Sequence, residues 1–429
     1  MTAPSRPRRA NRVKLAAFCG IVLCMAAISS RATQQAIARL AHSPACALGL
    51  DWLDKNGAWV TEQHIHLVEI PAPAFNEAPR AEFLKQLFES TGLHVRTDSV
   101  GNVIAERPGA DANSVILFAA HLDTVFPAGT DVHVNREDDL LKAPGIGDDG
   151  AGLASLVAVA RALSESRVRT AKTLVFAGDV GEEGEGNLRG IKALAESYGS
   201  RLAAVIAVDG ASTMPITTQG VASRRFEVTV TGPGGHSWAD FDAPNPITAI
   251  SRGIVRFSSV RIPASPRTTY NFGVIEGGTS VNSIPASASL KVDLRSEEES
   301  ELARLETALR DAMDAGARDE ISATHSTPGA LQLNFRSLGA RPAGKLPADS
   351  PLLATVLDVD AYLGISSRPE SGSTDANIPL ALGIPALAVG GGGKAGGAHT
   401  LGEWFDPTDR ELGLKRLYLI ALALAGLQQ

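Results

Sequence analysis

The chain has 429 residues, of which 44% are hydrophobic and 20% charged, with a formal net charge of −7. This composition is ordinary for a globular protein and excludes a disordered, collagen-like or multi-spanning membrane protein. Since one hydrophobic core stops growing at roughly 250–300 residues, we expect two domains. Residues 1–32 carry six basic and no acidic side chains, which leaves 34 basic and 47 acidic side chains in the remainder. That acidic remainder argues against nucleic acid as a partner.

Residues 1–32 have the three-part layout of a secretory signal peptide. A basic opening precedes an apolar run over 15–28, and Ser30-Arg31-Ala32 supplies small residues at the first and third positions before a cleavage point. Fourteen apolar positions are too few to span a bilayer comfortably, because about 20 are needed. We therefore predict export, to the periplasm or as a secreted protein, and a membrane-anchored form if the leader stays uncleaved.

Residues 45–222 and 339–429 are predicted to form one α/β catalytic domain. Short, nearly all-apolar runs alternate with helical stretches such as 151–163. Such runs are typical of strands that are buried on both faces of a mostly parallel sheet flanked by helices. The four clearest runs are 115–120, 174–177, 205–208 and 386–389.

Residues 223–338 have a different pattern and are predicted to form an inserted α+β domain. The segments RRFEVTVTG and SASLKVDLRS alternate strictly between apolar and polar residues, as a half-exposed antiparallel sheet requires. Residues 299–315 have the apolar spacing of an amphipathic helix. The insertion therefore interrupts the catalytic domain between two of its sheet segments.

Every apolar run of the first domain leads into side chains that can bind a metal ion. Because ligands bind at the carboxyl ends of strands in open α/β sheets, these side chains converge if the strands are neighbours. The pair His64 and His66 has no such acidic surroundings, so we interpret it as a helix surface. The candidates are His121 and Asp123 after the first run, Glu182 and Glu183 after the second, Asp209 after the third, His399 after the fourth, and Asp148 before the 151–163 helix.

Two histidines and three carboxylates among these candidates suit two metal ions better than one. A catalytic zinc ion takes about three protein ligands and a water molecule, and a bridging carboxylate serves both ions. Paired ions activate water and polarise a carbonyl group. One acid must stay unbound to move the proton, so that either Glu182 or Glu183 binds metal while the other faces the water.

Motifs over residues 52–429 resemble those of the dinuclear zinc peptidases and deacylases that include peptidase T, glutamate carboxypeptidase and aminoacylase. Two positions depart from that pattern: Gly150 replaces a frequent lysine, and Trp238, in place of a small residue, is predicted to narrow the lid side of the pocket. The motifs are HLDTV (121–125), GIGDDGAG (145–152), GEEGEG (181–186), VDG (208–210), GPGGHS (232–237), SVNSIPASASLKVDLRS (280–296), STDANIPLALGIPA (373–386) and GGAHTLGEW (396–404).

The resemblance implies a zinc-exopeptidase-like fold, two zinc ions and a role for each candidate, with cobalt or manganese also suiting the ligands. Asp148 would bridge the ions, Glu182 would be the general base and acid, and Asp123 would orient a ligand. One ion would be completed by His121 and Asp209, and the other by Glu183 and His399.

The resemblance also implies that the inserted domain is a lid through which a homodimer forms. Its His236 would stabilise the oxyanion, in the same chain or in the partner subunit, and Asn282 and Arg295 would contact the substrate. Backbone N–H groups of Gly391, Gly392 and Gly393 are predicted to cradle a substrate carboxylate.

The substrate class is predicted from the same resemblance. Aspartate at the Asp209 position is more typical of members that attack peptides with a free amino end. We therefore predict an aminopeptidase or dipeptidase of small peptides. The alternative is a deacylase of N-acyl amino acids, with the same chemistry and a different lid pocket. A non-catalytic binding protein on this scaffold is a remote alternative, because it predicts lost ligands.

Overall fold

A computed structural model describes residues 35–326 and 330–428. The predicted leader at 1–32 lies outside the described residues. Among those that are described, no helix combines the length and the apolar character needed to cross a membrane.

The described residues contain ten named helices, numbered here in chain order. They are α1 (Pro44–Lys55), α2 (Gly57–Val68), α3 (Ala78–Ser90), α4 (Gly150–Ser166), α5 (Arg189–Tyr198), α6 (Pro246–Ser258), α7 (Glu299–Ala323), α8 (Pro351–Leu363), α9 (Asn377–Ala381) and α10 (Arg410–Ala425).

The strands are numbered in the same way. They are β1 (His94–Thr97), β2 (Val103–Arg107), β3 (Asp111–His121), β4 (Asn135–Glu137), β5 (Leu140–Lys142), β6 (Lys172–Asp179), β7 (Leu202–Val208), β8 (Pro215–Gly220), β9 (Ala222–Thr231), β10 (Gly235–His236), β11 (Thr268–Gly277), β12 (Ser283–Ile284), β13 (Ser287–Ser296), β14 (Gln332–Arg341), β15 (Gly344–Lys345), β16 (Arg368–Gly372), β17 (Ala386–Val389), β18 (Lys394–Gly396) and β19 (Trp404–Asp406).

A nine-stranded sheet forms the centre of the larger domain, in the order β1-β2-β6-β3-β7-β17-β8-β15, with β16 beside β8. The four strands β6, β3, β7 and β17 pair in parallel with one another. Each contains one of the predicted apolar runs, and their central residues are buried on both faces. The predicted α/β class with a mostly parallel sheet flanked by helices is confirmed.

Helices cover this sheet because their own apolar residues need partners. Helix α4 is buried along most of its length and packs against α1, α2 and α10. It begins after Asp149, whose carboxylate accepts a hydrogen bond from the Gly152 N–H group at 3.0 Å and so caps the first turn. This cap places Asp148, the residue before it, at the carboxyl edge of the sheet.

Residues between β8 and β15 form a separate antiparallel sheet in the order β11-β13-β9-β14. Along β13, buried residues alternate with more exposed ones, which is the period of two that half-burial requires. Helices α6 and α7 pack together and against β9 and β13, and they close a second hydrophobic core. Strand β14 ends at Arg341, three residues beyond position 338, so the last lid strand extends into the larger domain.

Candidate active site

The sheet order brings the candidate ligands to one edge. His121 is the last residue of β3 and pairs with Asp179, the last residue of β6. Asp209 comes directly after β7, and its N–H group donates to the carbonyl of Val389 at the end of β17. The loop after β17 leads back to His399. The carboxyl ends of four neighbouring strands therefore bring their candidate ligands to the same edge of the sheet.

Asp148 lies between the two histidines. Its Oδ1 atom is 3.0 Å from Nε2 of His121 and its Oδ2 atom is 3.1 Å from Nε2 of His399. Nε2 of His399 is also 2.9 Å from Oε1 of Glu183. His121, Asp148 and Glu183 each offer one possible ligand atom, and these three atoms lie within 4.8 Å of one another. Imidazole nitrogen and carboxylate oxygen are donors that zinc, cobalt and manganese accept. The residues present therefore fit a metal centre, with one oxygen of Asp148 for each side.

The same contacts set the protonation of the two histidines. Hydrogen bonds to Asp148 and Glu183 raise the pKa of His399 to about 10. Burial lowers the pKa of His121, but its hydrogen bond to Asp148 and the surrounding carboxylates bring that pKa well above the usual range. Metal ions bind neutral imidazole, so metal binding at these nitrogens must displace their protons.

Asp209 is half-buried and lies outside the group of three whose ligand atoms fall within 4.8 Å. Burial, and next the charge of Asp148, raise the pKa of Asp209 well above its usual range. Two carboxylates that destabilise each other in this way gain from a shared cation. This is the electrostatic setting expected of a metal ligand.

Asp123 supports the site through two groups. Its backbone carbonyl oxygen is 2.9 Å from Nδ1 of His121, whereas its carboxylate is 3.8 Å from that nitrogen. The carboxylate instead accepts hydrogen bonds from the N–H groups of Glu182 at 3.0 Å and Glu183 at 2.9 Å. Asp123 thus orients the His121 ring with its main chain and the two glutamates with its side chain.

Two buried carboxylates that sequence reasoning missed hold the backbone of the site. Asp149 accepts hydrogen bonds from the N–H groups of His121 and Gly210, at 3.2 and 3.0 Å, besides capping α4. Glu403 is 1% exposed and accepts hydrogen bonds from three N–H groups in the loop before α4. Both residues lie in motifs that the sequence analysis singled out: Asp149 is the second aspartate of GIGDDGAG, and Glu403 is the glutamate of GGAHTLGEW. The three N–H groups belong to Gly145 (2.8 Å), Gly147 (2.7 Å) and Asp148 (2.9 Å).

The interpretation of His64 and His66 as a helix surface is right for His66, which is exposed, and wrong for His64. The side chain of His64 is fully buried. Nδ1 accepts a hydrogen bond from Nη2 of Arg410 at 2.6 Å, so Nε2 donates to the carbonyl of Ile146, also at 2.6 Å. Burial and the Arg410 charge keep the pKa of His64 well below its usual range. A neutral histidine therefore braces the same loop that Glu403 holds.

Two of the lid candidates, His236 and Asn282, lie on one exposed part of the lid. His236 is exposed on the short β10–β12 ribbon, and its Nδ1 atom accepts the N–H groups of Trp238 and Ala239 at 3.2 and 3.3 Å. The ring proton is therefore on Nε2, where it can be donated outwards. Asn282 shares this ribbon, since its carbonyl accepts the Ser237 N–H group at 3.0 Å.

Arg295 lies on β13, at the junction of the lid with the larger domain. Its Nε donates to Oδ2 of Asp293 at 2.7 Å, and the side chain is 40% exposed. It lines a cavity of about 200 Å³ together with Arg267, Glu297 and Ser373. Solvent therefore reaches the Arg295 side chain at this junction.

The predicted carboxylate cradle at Gly391, Gly392 and Gly393 is wrong for the first two glycines. Their N–H groups donate to the carbonyls of Gly210 at 2.9 Å and Ala211 at 2.6 Å, and both glycines are buried. A Cβ atom at Gly391 would lie 2.4 Å from the hydroxyl of Ser155, and one at Gly392 would lie 2.5 Å from a backbone carbonyl. These two positions need glycine because neighbouring atoms lie too close for a side chain. Their N–H groups already donate to backbone carbonyls and are not free to bind a substrate carboxylate.

Glu182 contacts an arginine that sequence reasoning also missed. Nη1 of Arg341 donates to Oε1 of Glu182 at 2.6 Å, and the two side chains are 4% and 6% exposed. Burial, despite the Arg341 charge, raises the pKa of Glu182 above its usual value. Because no sequence motif marked Arg341, only the fold reveals this pair.

The chain is similar in sequence to proteins of one known family. Residues 117–423 match the family described as Peptidase family M20/M25/M40. A putative succinyl-diaminopimelate desuccinylase of Mycobacterium tuberculosis is 27% identical over 336 residues, covering 76% of this chain and 88% of that protein.

Two solved structures share the fold. A tripeptidase from Staphylococcus aureus superposes with a TM-score of 0.71 at 21% identity, covering 86% of this chain and 99% of that one. The YXEP protein of Bacillus subtilis, a dinuclear metal-binding peptidase, superposes with a TM-score of 0.61 at 17% identity, covering 87% and 99% of the two chains. The family resemblance predicted from the motifs is confirmed.

Proposed function

This chain belongs to peptidase family M20/M25/M40 and is a metal-dependent hydrolase, and from that premise we propose that it is an exported aminopeptidase or dipeptidase of small peptides that works with two zinc ions. The observation that carries the proposal is Asp148, which meets a different histidine with each carboxylate oxygen. We assign one ion to His121 and Asp209, the other to Glu183 and His399, and Asp148 to both.

When bound, the ions would polarise the scissile carbonyl and lower the pKa of a water molecule. Glu182 takes a proton from the attacking water and returns it to the leaving amine. Arg341 holds only one oxygen, Oε1, of its carboxylate, so this role is compatible with the contact. Asp123 fixes the backbone of both glutamates. Glu182, which is assigned no metal, therefore stays beside Glu183, which is assigned to one ion.

The lid supplies the remaining groups. Nε2 of His236 carries the proton that a developing oxyanion needs, because the backbone N–H groups occupy Nδ1. Asn282, on the same ribbon, and Arg295, beside the junction cavity, are assigned to the rest of the substrate. His236 lies on the lid, so lid closure, or a partner subunit, must bring it to the reacting carbonyl.

A homodimer through the lid is part of the proposal. Strand β11 is the edge of the lid sheet, and Val274 and Ile275 on it are 41% and 54% exposed. An exposed apolar edge strand is a template for pairing with a second chain. Sedimentation of the secreted protein measures the mass of the oligomer.

The proposal that the protein is exported rests on the leader at 1–32. The mass of the secreted chain shows whether that leader has been cleaved.

The peptidase assignment rests on Asp209 and on the shared fold with a tripeptidase. A deacylase of N-acyl amino acids is the second candidate, because a putative desuccinylase is 27% identical over 336 residues. Both candidates cleave an amide bond with the same residues. They differ only in the substrate groups on either side of that bond that the lid accepts.

A substrate panel separates the two candidates. The mature, zinc-loaded chain is incubated with dipeptides, tripeptides, N-acetyl amino acids and N-succinyl amino acids, and mass spectrometry reports which disappear. Cleavage restricted to peptides with a free amino end supports the proposal. Cleavage restricted to acylated amino acids supports the deacylase, and cleavage of no amide overturns both.

Glu182→Gln tests the catalytic assignment. We expect turnover to fall by about two to four orders of magnitude, which is the usual contribution of a general base. Metal content should stay at the wild-type value, because Glu182 is assigned no metal. Elemental analysis of the purified variant provides that control. Wild-type turnover by a zinc-loaded Glu182→Gln chain would show that another group moves the proton.

A further inference from the structure

The loop at 181–187, called here the glutamate loop, is held from the lid side. Ala340 donates its N–H group to Oδ1 of Asn187 at 2.9 Å, and Arg225 of β9 donates to the carbonyl of Gly184. Lys291 of β13 is 3.4 Å from Oε1 of Glu185. Residues of three lid strands therefore contact the segment that carries both site glutamates.

Arg341, the last residue of β14, makes the most buried of these contacts. Nη1 donates to the Glu182 carboxylate at 2.6 Å, and Nη2 donates to the carbonyl oxygen of the same residue. Nη1 also lies 3.1 Å from the hydroxyl of Ser373. One guanidinium thus fixes both the side chain and the backbone of Glu182. At 4% exposure it is not placed to bind substrate directly.

The surroundings explain why Glu182 needs this partner. Its side chain is buried beside the carboxylates of Glu183 and Asp123, which repel it. The planar fork of arginine offers several donors in a fixed arrangement, whereas a lysine ammonium is a single point. Buried ion pairs add little net stability compared with apolar residues, so stability alone is a weak reason for this one.

We infer that Arg341 is a positioning residue that holds Glu182 in its reactive orientation and links it to the lid. The inference rests on the proposed role of Glu182 as general base. Arg341 acts through Glu182 and touches no reacting atom. Because Arg341 ends a lid strand, its contact with Glu182 ties the position of that strand directly to the general base.

Arg416 offers a matched control within the same chain. It is fully buried on α10, and its Nε and Nη2 atoms pair with Asp360 of α8 at 2.6 and 2.7 Å. The pair has the same chemistry as Arg341 with Glu182, but it contacts no residue of the site. Lysine at either position keeps the charge and removes the fork.

The experiment compares Arg341→Lys with Arg416→Lys on the fastest substrate of the panel. We expect Arg341→Lys to lower kcat by at least about 10-fold, since a small misplacement of a catalytic group costs up to about 100-fold. KM and metal content should stay within about 3-fold of wild type. Arg416→Lys should keep its kcat within about 2-fold, with any loss confined to thermal stability. Equal kcat values for the two variants would overturn the inference.

Arg341→Met in the Glu182→Gln background completes a double-mutant cycle. If Arg341 acts through Glu182, adding Arg341→Met to Glu182→Gln should change kcat by less than about 3-fold, although the single Arg341→Met loss is larger. Multiplicative losses would instead indicate a general structural role and overturn the inference. Should Arg341→Met fail to fold, the lysine pair decides alone. If Glu182→Gln is active, the assignment of Glu182 as general base is wrong. If Glu182→Gln is inactive but Arg341→Lys is fully active, that assignment stands and only the inference about Arg341 is wrong.

Discussion

Replacing Glu403 by glutamine perturbs the loop that carries Asp148 while keeping the shape of the side chain. Oε1 of Glu403 accepts the N–H groups of Gly147 and Asp148, and Oε2 accepts that of Gly145. A glutamine oxygen can keep the first two bonds, but its NH₂ group must then face the Gly145 N–H group. Two N–H donors would then face each other beside a side chain that is only 1% exposed.

The magnitude follows from these three bonds. A buried donor left without an acceptor costs about 1–3 kcal/mol. The two retained bonds lose their charge assistance, which is worth about 1 kcal/mol each. We therefore expect the free energy of unfolding to fall by about 3–5 kcal/mol. Displacement of Asp148 should also weaken metal binding by about 10–100-fold, as for other residues that orient metal ligands.

Denaturant unfolding of the metal-free chain measures the first quantity, and competition with a chelator measures the second. Asp360→Asn is the matched control, because Asp360 is a buried carboxylate paired with Arg416 away from the ligands. It should lose stability and keep its metal affinity. A Glu403→Gln chain that binds zinc within about 3-fold of wild type would refute a role for Glu403 in placing Asp148.

Two further predictions concern protons. At pH 8 metal binding should release at least one proton, because the pKa of His399 is raised to about 10 and the metal binds the neutral ring. The raised pKa of His121 adds to this release, and metal affinity falls as the pH falls. Calorimetry in buffers of different ionisation enthalpy counts these protons, and a release below one would contradict the assignment of both rings. His236→Ala should lower kcat by about 10²–10³-fold, as loss of an oxyanion donor does, without changing metal content or thermal stability, since the side chain is exposed. Turnover near that of wild type would remove His236 from the reaction.

The strands and ligands of the larger domain could be predicted because their sequence signals are local. Each buried strand is a short apolar run, and the candidate ligands follow a run, directly or after a loop, or precede a helix. Parallel pairing then brings His121, Asp148, Glu183 and His399 together. The sequence motifs pointed to the same residues independently, which is why the two lines of reasoning agree.

The supporting contacts could not be predicted because they join distant parts of the chain. Arg341 meets Glu182 across 159 positions, and Glu403 meets Gly147 across 256. His64 lies on the buried face of α2 with Val60 and Val68, but only the fold shows that Arg410 and the Ile146 carbonyl are its partners. The error at Gly391 and Gly392 has the same origin, since their donors are used by the neighbouring 210–211 loop.

The most direct measurement is a zinc titration of the metal-free chain that follows hydrolysis of an amide substrate from the panel. Hydrolysis should be absent without metal, rise with added zinc and reach its plateau at two bound ions, because Asp148 presents one carboxylate oxygen to each histidine. Hydrolysis by the metal-free chain, or none at two bound zinc ions, would contradict a two-metal amide hydrolase.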